Sequence, residues 1–357
     1  MTPFQRLVLD PTTVKEPPTR DARPGPSPSN LPPATGTKLH PFNPGAENAS
    51  LRFIGNATTV LEWEGIRLMT DPNFLHKGDH VHLGPGVTAE RLQNPAVDLH
   101  ELPRIDVVLL SHYHEDHFDR KVEDSLRRSL PIISTPHAKE HLSSKPGDGE
   151  AFTNVYALDT FQSMMVDIKR HDNPASIGGK GHKMPAMKVT AMPGKHVPTG
   201  IATTLNDFVK AVPPTNGWML ELGYIPPSPS VAIDKDTDPF ECGYRIYISG
   251  DTLMVDELKE IPHRYQGQRI DLMLIHLGGT TIPSPSMPLL MVTMDAAQGI
   301  QLLQLVKPDV TIPIHFDDYN VFTSPLSDFE KAVKEAGLEG KVVYLDRQED
   351  YRFNVKK

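Results

Sequence analysis

Four side chains able to hold a metal ion fall within six positions of this chain: His112, His114, Asp116 and His117, in Ser111-His-Tyr-His-Glu-Asp-His117. His112 and His114 are two apart, so in extended chain they point the same way. Asp116 and His117 follow where the chain must turn, and can reach the same point from another direction. Imidazole and carboxylate are ligand types that first-row divalent metals accept. Gathered without a partner, four such groups would carry a large desolvation and repulsion cost, which a cation removes. The plainer alternative is a solvated turn with chance histidines. The context argues against it, because a strand leads straight into the motif: Ile105-Asp-Val-Val-Leu-Leu110, whose unbroken apolar run from Val107 reads as a strand buried on both faces.

Strands elsewhere in the chain release further groups of the same kind at their ends. Lys188–Met192 leads through Pro193-Gly194 to His196, and Tyr244–Ser249 leads to Asp251 within Ser249-Gly-Asp-Thr252. Asp271–Ile275 ends at His276, and Val310–Ile314 at His315. Other histidines have blander readings. His76, His80 and His82 share a polar loop, where solvated or substrate-facing roles are favoured over a second metal. His137 and His141 lie four apart on a short helix, Pro136–Leu142, with no carboxylate or cysteine close by in sequence to complete a site, so a surface role is favoured.

The elements that must position these groups begin near Ala49. Residues 1–48 form a Pro-rich N-terminal arm with few large apolar side chains, expected to be flexible or draped over a domain spanning 49–357. Ser50–Ile54, Thr58–Trp63 and Ile66–Thr70 alternate as strands, the last two joined by a turn at Glu64-Gly65. Pro131–Thr135, Val155–Leu158, Met164–Ile168, Trp218–Leu222 and Val342–Leu345 read as further strands. Leu253–Tyr265, Met294–Val306 and Ser324–Ala336 read as helices, the last capped by Ser324 or Ser327. Ile201–Pro214 has apolar positions among polar ones and reads as a packed surface helix or a lid. Gly178-Gly-Lys-Gly181 reads as an exposed loop and does not match a phosphate cradle.

Composition narrows the classes. The chain has 357 residues, enough for a substantial core, and a formal charge of −9 from 36 basic and 45 acidic residues. An acidic balance disfavours nucleic acid as a partner, since phosphate contacts need a basic face. Cys242 is the sole cysteine, which rules out an internal disulfide framework and a thiolate-rich metal site. The N-terminus lacks a basic start followed by an apolar core, and no apolar run approaches about 20 residues, so a cytoplasmic protein is the expectation.

The His-x-His-x-Asp-His stretch resembles the metal-binding motif of the metallo-β-lactamase superfamily. The surrounding chain is most similar to the branch of ascorbate-phosphate lactonases and the N-acyl-phosphatidylethanolamine-hydrolysing phospholipase D. Gly55-Asn-Ala-Thr58 and Thr70-Asp-Pro72 match the wording of that family's opening strands, although a histidine commonly stands where this chain has Asn56. The resemblance implies an α/β four-layer αββα sandwich and a dinuclear centre. His112, His114 and His196 would hold one metal and Asp116, His117 and His315 the other, with Asp251 touching both. Zinc is the default identity and manganese the second choice. Two such cations can share a water and lower its pKa toward ~7. That implies hydrolysis of a lactone, amide or phosphoester bond in a small molecule, with Asp116 orienting the nucleophile and taking its proton.

For His276 two roles remain open: protonating the leaving group or steadying the developing oxyanion on one side, packing behind a ligand on the other. Asn56, Tyr319 and Asn320 are candidate substrate contacts. Two other readings stay open. One is a lipid phosphodiesterase that touches a membrane surface through Ile201–Val212. The other is an iron-dependent redox member of the family. The complete ligand set argues against a non-catalytic binding protein.

Overall fold

The computed structural model describes residues 5–13, 16–21, 27–42, 44–84, 87–169, 183–196, 212–226, 240–284 and 287–357. Two mixed sheets lie face to face. One has seven strands in the order β1 (Gln5–Leu9), β11 (Ser163–Ile168), β12 (Met184–Pro193), β13 (Asn216–Ile225), β14 (Glu241–Ile248), β15 (Leu272–His276) and β18 (Val310–Ile314). The other has eight, in the order β10 (Val155–Ala157), β9 (Ile132–Ser134), β8 (Val107–Leu109), β5 (Ile66–Thr70), β4 (Thr58–Trp63), β3 (Ala49–Gly55), β19 (Glu349–Phe353) and β2 (Gly36–Leu39). Two hairpins stand apart: β6 (His80–His82) with β7 (Thr88–Glu90), and β16 (Thr281–Ser284) with β17 (Met287–Met291).

Strand alternation explains the layering. Val107 and Leu109 of β8 point into the core between the sheets, where they meet Leu61, Leu68 and Trp218. Val108 points the opposite way with Leu110, into a second cluster under the helices Arg120–Ser125 and Pro136–Ser143. The seven-stranded sheet repeats the arrangement. Leu272 and Leu274 of β15 face the other sheet, while Met273 and Ile275 pack against the helices Ala296–Val306 and Leu326–Glu335. Both faces of the central strands are therefore covered, which is why their sequences are continuously apolar rather than alternating. The result is the α/β four-layer αββα sandwich.

The structure departs from the sequence expectations at particular elements. Upstream of Ala49, β1 pairs in parallel with β11 and β2 pairs in parallel with β19, so the Pro-rich arm extends both sheets. Edge strands of four or five residues need little apolar sequence because much of what they contribute is backbone hydrogen bonding; Leu7 and Leu9 alone reach the core. The helix expected over Leu253–Tyr265 is a 3₁₀ turn, Asp256–Lys259, followed by a short helix, Glu260–Arg264. Pro262 explains the break, since it tolerates only the first turn of a helix and would clash with a turn continuing from upstream.

The helix Leu326–Glu335 starts after Pro325 with no side-chain cap, because the Ser324 hydroxyl instead accepts a hydrogen bond from the Ala296 amide at 3.1 Å. Val342–Leu345 contributes a single bridge, from Val342 to Thr311, and the closing strand is β19. Its alternation, with Tyr351 and Phe353 inward, was obscured by the charged neighbours Glu349, Asp350 and Arg352. The β16–β17 hairpin was not anticipated; the proline within each strand, Pro283 and Pro288, argues against strands by sequence alone. The stretches 178–181 and 201–211, expected as a loop and as a packed helix or lid, lie outside the described residues. Among the described residues, no helix is long and apolar enough to cross a membrane.

Candidate metal centre

The predicted groups converge at one rim of the sandwich. From the eight-stranded side, the turn after β8 brings His112, His114, Asp116 and His117. From the seven-stranded side, β12, β14 and β18 deliver His196, Asp251 and His315 just past their ends. Ligand-type atoms of Asp116, His117, Asp251 and His315 all lie within 4.8 Å of one another. So do those of His112, His196 and Asp251, and those of His112, His114 and Asp116. Asp251 is common to the first two sets. Its Oδ2 is 3.1 Å from His117 Nε2 and 3.6 Å from His315 Nε2.

Pairs of imidazole nitrogens face each other across the centre, His117 Nε2 to His315 Nε2 at 3.2 Å and His112 Nε2 to His196 Nε2 at 3.3 Å. The opposite ring nitrogens are anchored. Nδ1 of His315 donates to the Leu277 carbonyl at 3.0 Å, and Nδ1 of His196 donates to the Val292 carbonyl at 3.0 Å. A carbonyl can only accept, so these contacts place the proton on Nδ1 and leave the Nε2 lone pair facing inward, the tautomer a metal needs. His114 Nε2 and Asp251 Oδ1 are buried without a hydrogen-bond partner. Orphaned ligand atoms beside opposed lone pairs are costly unless a cation satisfies them, so these residues fit the metals that the resemblance implies.

The charge states agree. Burial by itself would raise Asp251, but His117 and His315 hold its carboxyl well below the usual range. Asp116 is likewise held well below it by His117 and His114 despite its burial. Burial, reinforced by neighbouring imidazoles, keeps His112 neutral far below its ordinary value, and burial lowers His196 to about 4. His117 shifts upward against its own burial, because Asp251, Asp116 and Asp71 surround it. His315 shifts upward too, against its burial, because of Asp251 and Asp116; ionised carboxylates with neutral imidazoles bind metal, and a cation can take over the positive charge that His117 and His315 otherwise carry.

Three residues behind the centre were not singled out as site residues. Asp71, at the end of β5, accepts from the Ser111 amide through Oδ1 at 2.7 Å and sets Oδ2 3.3 Å from His117 Nδ1. Asn73 donates through Nδ2 to the Asp116 carbonyl at 2.9 Å, and its Oδ1 accepts from Arg91 Nη1 at 3.1 Å. Asp318 is paired with both Arg91 and Arg347 and accepts from the Asn56 amide at 2.6 Å. Thr70-Asp-Pro72 at a strand end was a visible signal for Asp71. Asn73 and Asp318 carried none, because a single polar residue in a loop does not reveal its partner.

Of the expected substrate contacts, Asn56 is fully buried and donates through Nδ2 to the Asp116 carbonyl at 2.7 Å. The Tyr319 hydroxyl accepts from Asn73 Nδ2 at 2.7 Å, and its ring lies under Arg91. Asn320 is exposed and accepts from the Glu90 amide of β7 at 3.0 Å. None of the three is among the residues lining the cavity at the centre. His276 sits behind His117, with ring centroids 5.9 Å apart and planes 13° from parallel, and its Nε2 is 3.6 Å from Asp71 Oδ2. His76, His80 and His82 are exposed, whereas His137 and His141 approach each other at 3.1 Å on the surface of their helix. The segment on which a membrane-facing role would depend, 201–211, lies outside the described residues.

Comparison with known proteins agrees with this geometry. Residues 50–201 match the family model described as a beta-lactamase superfamily domain. A protein of Archaeoglobus fulgidus named a metal-dependent hydrolase is 28% identical over 304 residues, covering 85% of this chain and 99% of its own length. Among solved structures, an isothiocyanate hydrolase from Delia radicum gut bacteria superposes with a TM-score of 0.60 at 17% identity, over 84% of this chain and 98% of that one. A possible metal-dependent hydrolase from Veillonella parvula also gives 0.60, at 15% identity, over 85% and 99%.

Proposed function

We propose that this chain is a member of the metallo-β-lactamase superfamily, and that this metal-dependent hydrolase holds two divalent cations and cleaves a lactone, amide or phosphoester bond of a small molecule. The observation that carries the reading is Asp251, whose carboxylate is shared by a His112–His196 set and an Asp116–His117–His315 set within ligand reach. His114, which groups with His112 and Asp116, completes the first set. Zinc suits the imidazole and carboxylate donors best, with manganese second. The cations, when bound, would supply an activated water and polarise the bond under attack.

The chain's own residues do the rest. Asp116 presents a carboxylate to the cavity, ionised and able to take a proton there. The carbonyls of Val292 and Leu277 hold the imidazoles of His196 and His315 in the required tautomer. Asp71 steadies Nδ1 of His117, and His276 packs behind both, which supports a positioning role for His276 rather than contact with substrate.

Metal analysis together with a panel of lactones, phosphomonoesters and phosphodiesters tests the reading. Two metals per chain and hydrolysis that chelation abolishes are expected, and a colourless zinc- or manganese-loaded protein would exclude iron redox chemistry. Asp251→Ala should cut turnover by about a thousandfold or more and lower the metal content, with circular dichroism unchanged. Full activity in that variant would refute the dinuclear assignment.

A further inference from the structure

The helix Pro136–Ser143 carries a pair of groups that the hydrolase reading leaves unused. Thr135 caps it, the hydroxyl accepting from the Ala138 amide at 3.1 Å, and Pro136 opens the first turn, where a missing N–H costs nothing. Ala138 and Leu142 anchor the helix from below, both fully buried. His137 and His141, one turn apart, stand beside each other on this fixed helix. Their ring centroids are 4.4 Å apart, and their Nε2 atoms face each other at 3.1 Å.

Both rings are held from outside the helix or by burial within it. The His141 ring stacks on Tyr113, with centroids 5.1 Å apart and planes 7° from parallel, and the Tyr113 hydroxyl donates to Glu123 at 2.8 Å. Nδ1 of His137 is buried without a hydrogen-bond partner. Burial, with His141 beside it, lowers His137 below its ordinary value, so this ring is neutral near pH 7; Glu140 pulls the other way, which sets a negative charge close to the pair. Two imidazole nitrogens that face each other share either a proton or a cation. Bonds of about 2.05 Å to a common ion would subtend about 98° across the 3.1 Å gap. That angle lies between the right angle of a tetragonal copper or nickel site and the tetrahedral angle of zinc.

We propose that His137 and His141 form a separate surface metal site, chelating one divalent nickel, copper or zinc ion through their Nε2 atoms. His141 is exposed, so water reaches the ion and fills its other positions. The site adjoins the metal-ligating turn, because the Tyr113 ring stacked on His141 stands between His112 and His114. The pairing on the helix was visible in the spacing of four; the facing of the two nitrogens and the stacking on Tyr113 were not. The site does not depend on the hydrolase reading.

Calorimetric titration of the zinc-loaded full chain with nickel chloride, beside the variants His137→Gln and His141→Gln, tests the site. Glutamine is a good helix former, so circular dichroism should be the same for all three proteins. The parent chain should take up one nickel ion that neither variant holds at comparable strength. Loss of either imidazole should weaken that binding by about a hundredfold, because the second ligand closes on an ion already held by the first. Zinc content, measured before and after titration, should not change. Equal nickel uptake and affinity in the parent and both variants would overturn the proposal, since the ion would then sit on other histidines. Weakening in one variant alone would reduce the site to a single ligand and overturn the chelate. Nickel uptake matched by zinc release would place the ion in the centre and overturn it as well. None of these outcomes bears on the hydrolase reading, which is judged by turnover.

Discussion

At the scale of single residues, Asn56 joins the two halves of the centre. Its side-chain amide donates to the Asp116 carbonyl, and its backbone carbonyl accepts from the His315 amide at 2.9 Å. Its φ of 51° lies in the left-handed region, which asparagine tolerates better than most side chains. A histidine at this position, as the family resemblance suggests, would lack a primary amide donor; the departure at Asn56 thus has a structural meaning. Asn56→Gly keeps the backbone geometry and both main-chain bonds but deletes the donor to Asp116. It should weaken metal affinity by about tenfold, read by competition with a chromogenic chelator, with little change in thermal stability. Unaltered affinity would show that Asn73, which donates to the same carbonyl, suffices alone. The ligand types were legible here because histidines and aspartates at strand ends stand out. Their supports were not, since Asn73, Arg91 and Asp318 look like ordinary polar residues until the chain folds.

At the scale of elements, the sheets are tied together at an end that carries no catalytic groups. His40, just after β2, lies with Nδ1 2.8 Å from the Tyr351 hydroxyl of β19 and 3.0 Å from the Tyr244 hydroxyl of β14. One strand belongs to each sheet, so this neutral imidazole bridges the layers. Burial lowers His40 to about 4 from an ordinary value near 6.5. Between those values the unfolded chain binds a proton that the folded chain refuses, so stability is fully present above about pH 6.5 and is lost as pH falls toward 4. His40→Gln, which cannot take up a proton, should flatten the stability profile in that window by at most about 1.4 kcal/mol per pH unit relative to the parent chain. Urea denaturation at several pH values measures this, and parallel profiles for the two proteins would remove His40 from the account. The strands of the two sheets between Ala49 and Val310 were readable from periodicity, whereas the hairpins β6–β7 and β16–β17 were not, and His80–His82, read as loop, is strand β6. The edge strands β1 and β2 were not legible either, because they depend on distant partners, β11 and β19, rather than on an apolar pattern of their own.

At the scale of the whole molecule, the centre exists only where the two sheets meet, so metal binding and folding are coupled. Chelating the metal from the loaded protein should lower the unfolding temperature. For each site the lost stabilisation is about 2.7 kcal/mol when free metal stands a hundredfold above its Kd. Calorimetry with and without a chelator checks this, and an unchanged unfolding temperature would place the binding groups outside the cooperative fold. The amino-acid sequence by itself determined the chemistry on offer: which side chains can ligate, that they follow strands buried on both faces, and that the sheets must therefore be covered by helices. Those features are local, set by residue type and by the two-residue period of an extended chain. Tertiary structure alone decided which atoms meet. It turned His196 and His315 so that backbone carbonyls fix their tautomers, made Asp251 common to two sets of imidazoles, set His276 behind His117, and lined the cavity with Leu83 and Val292. Such contacts join residues up to about two hundred positions apart, and only the packing of one sheet on the other fixes their distances.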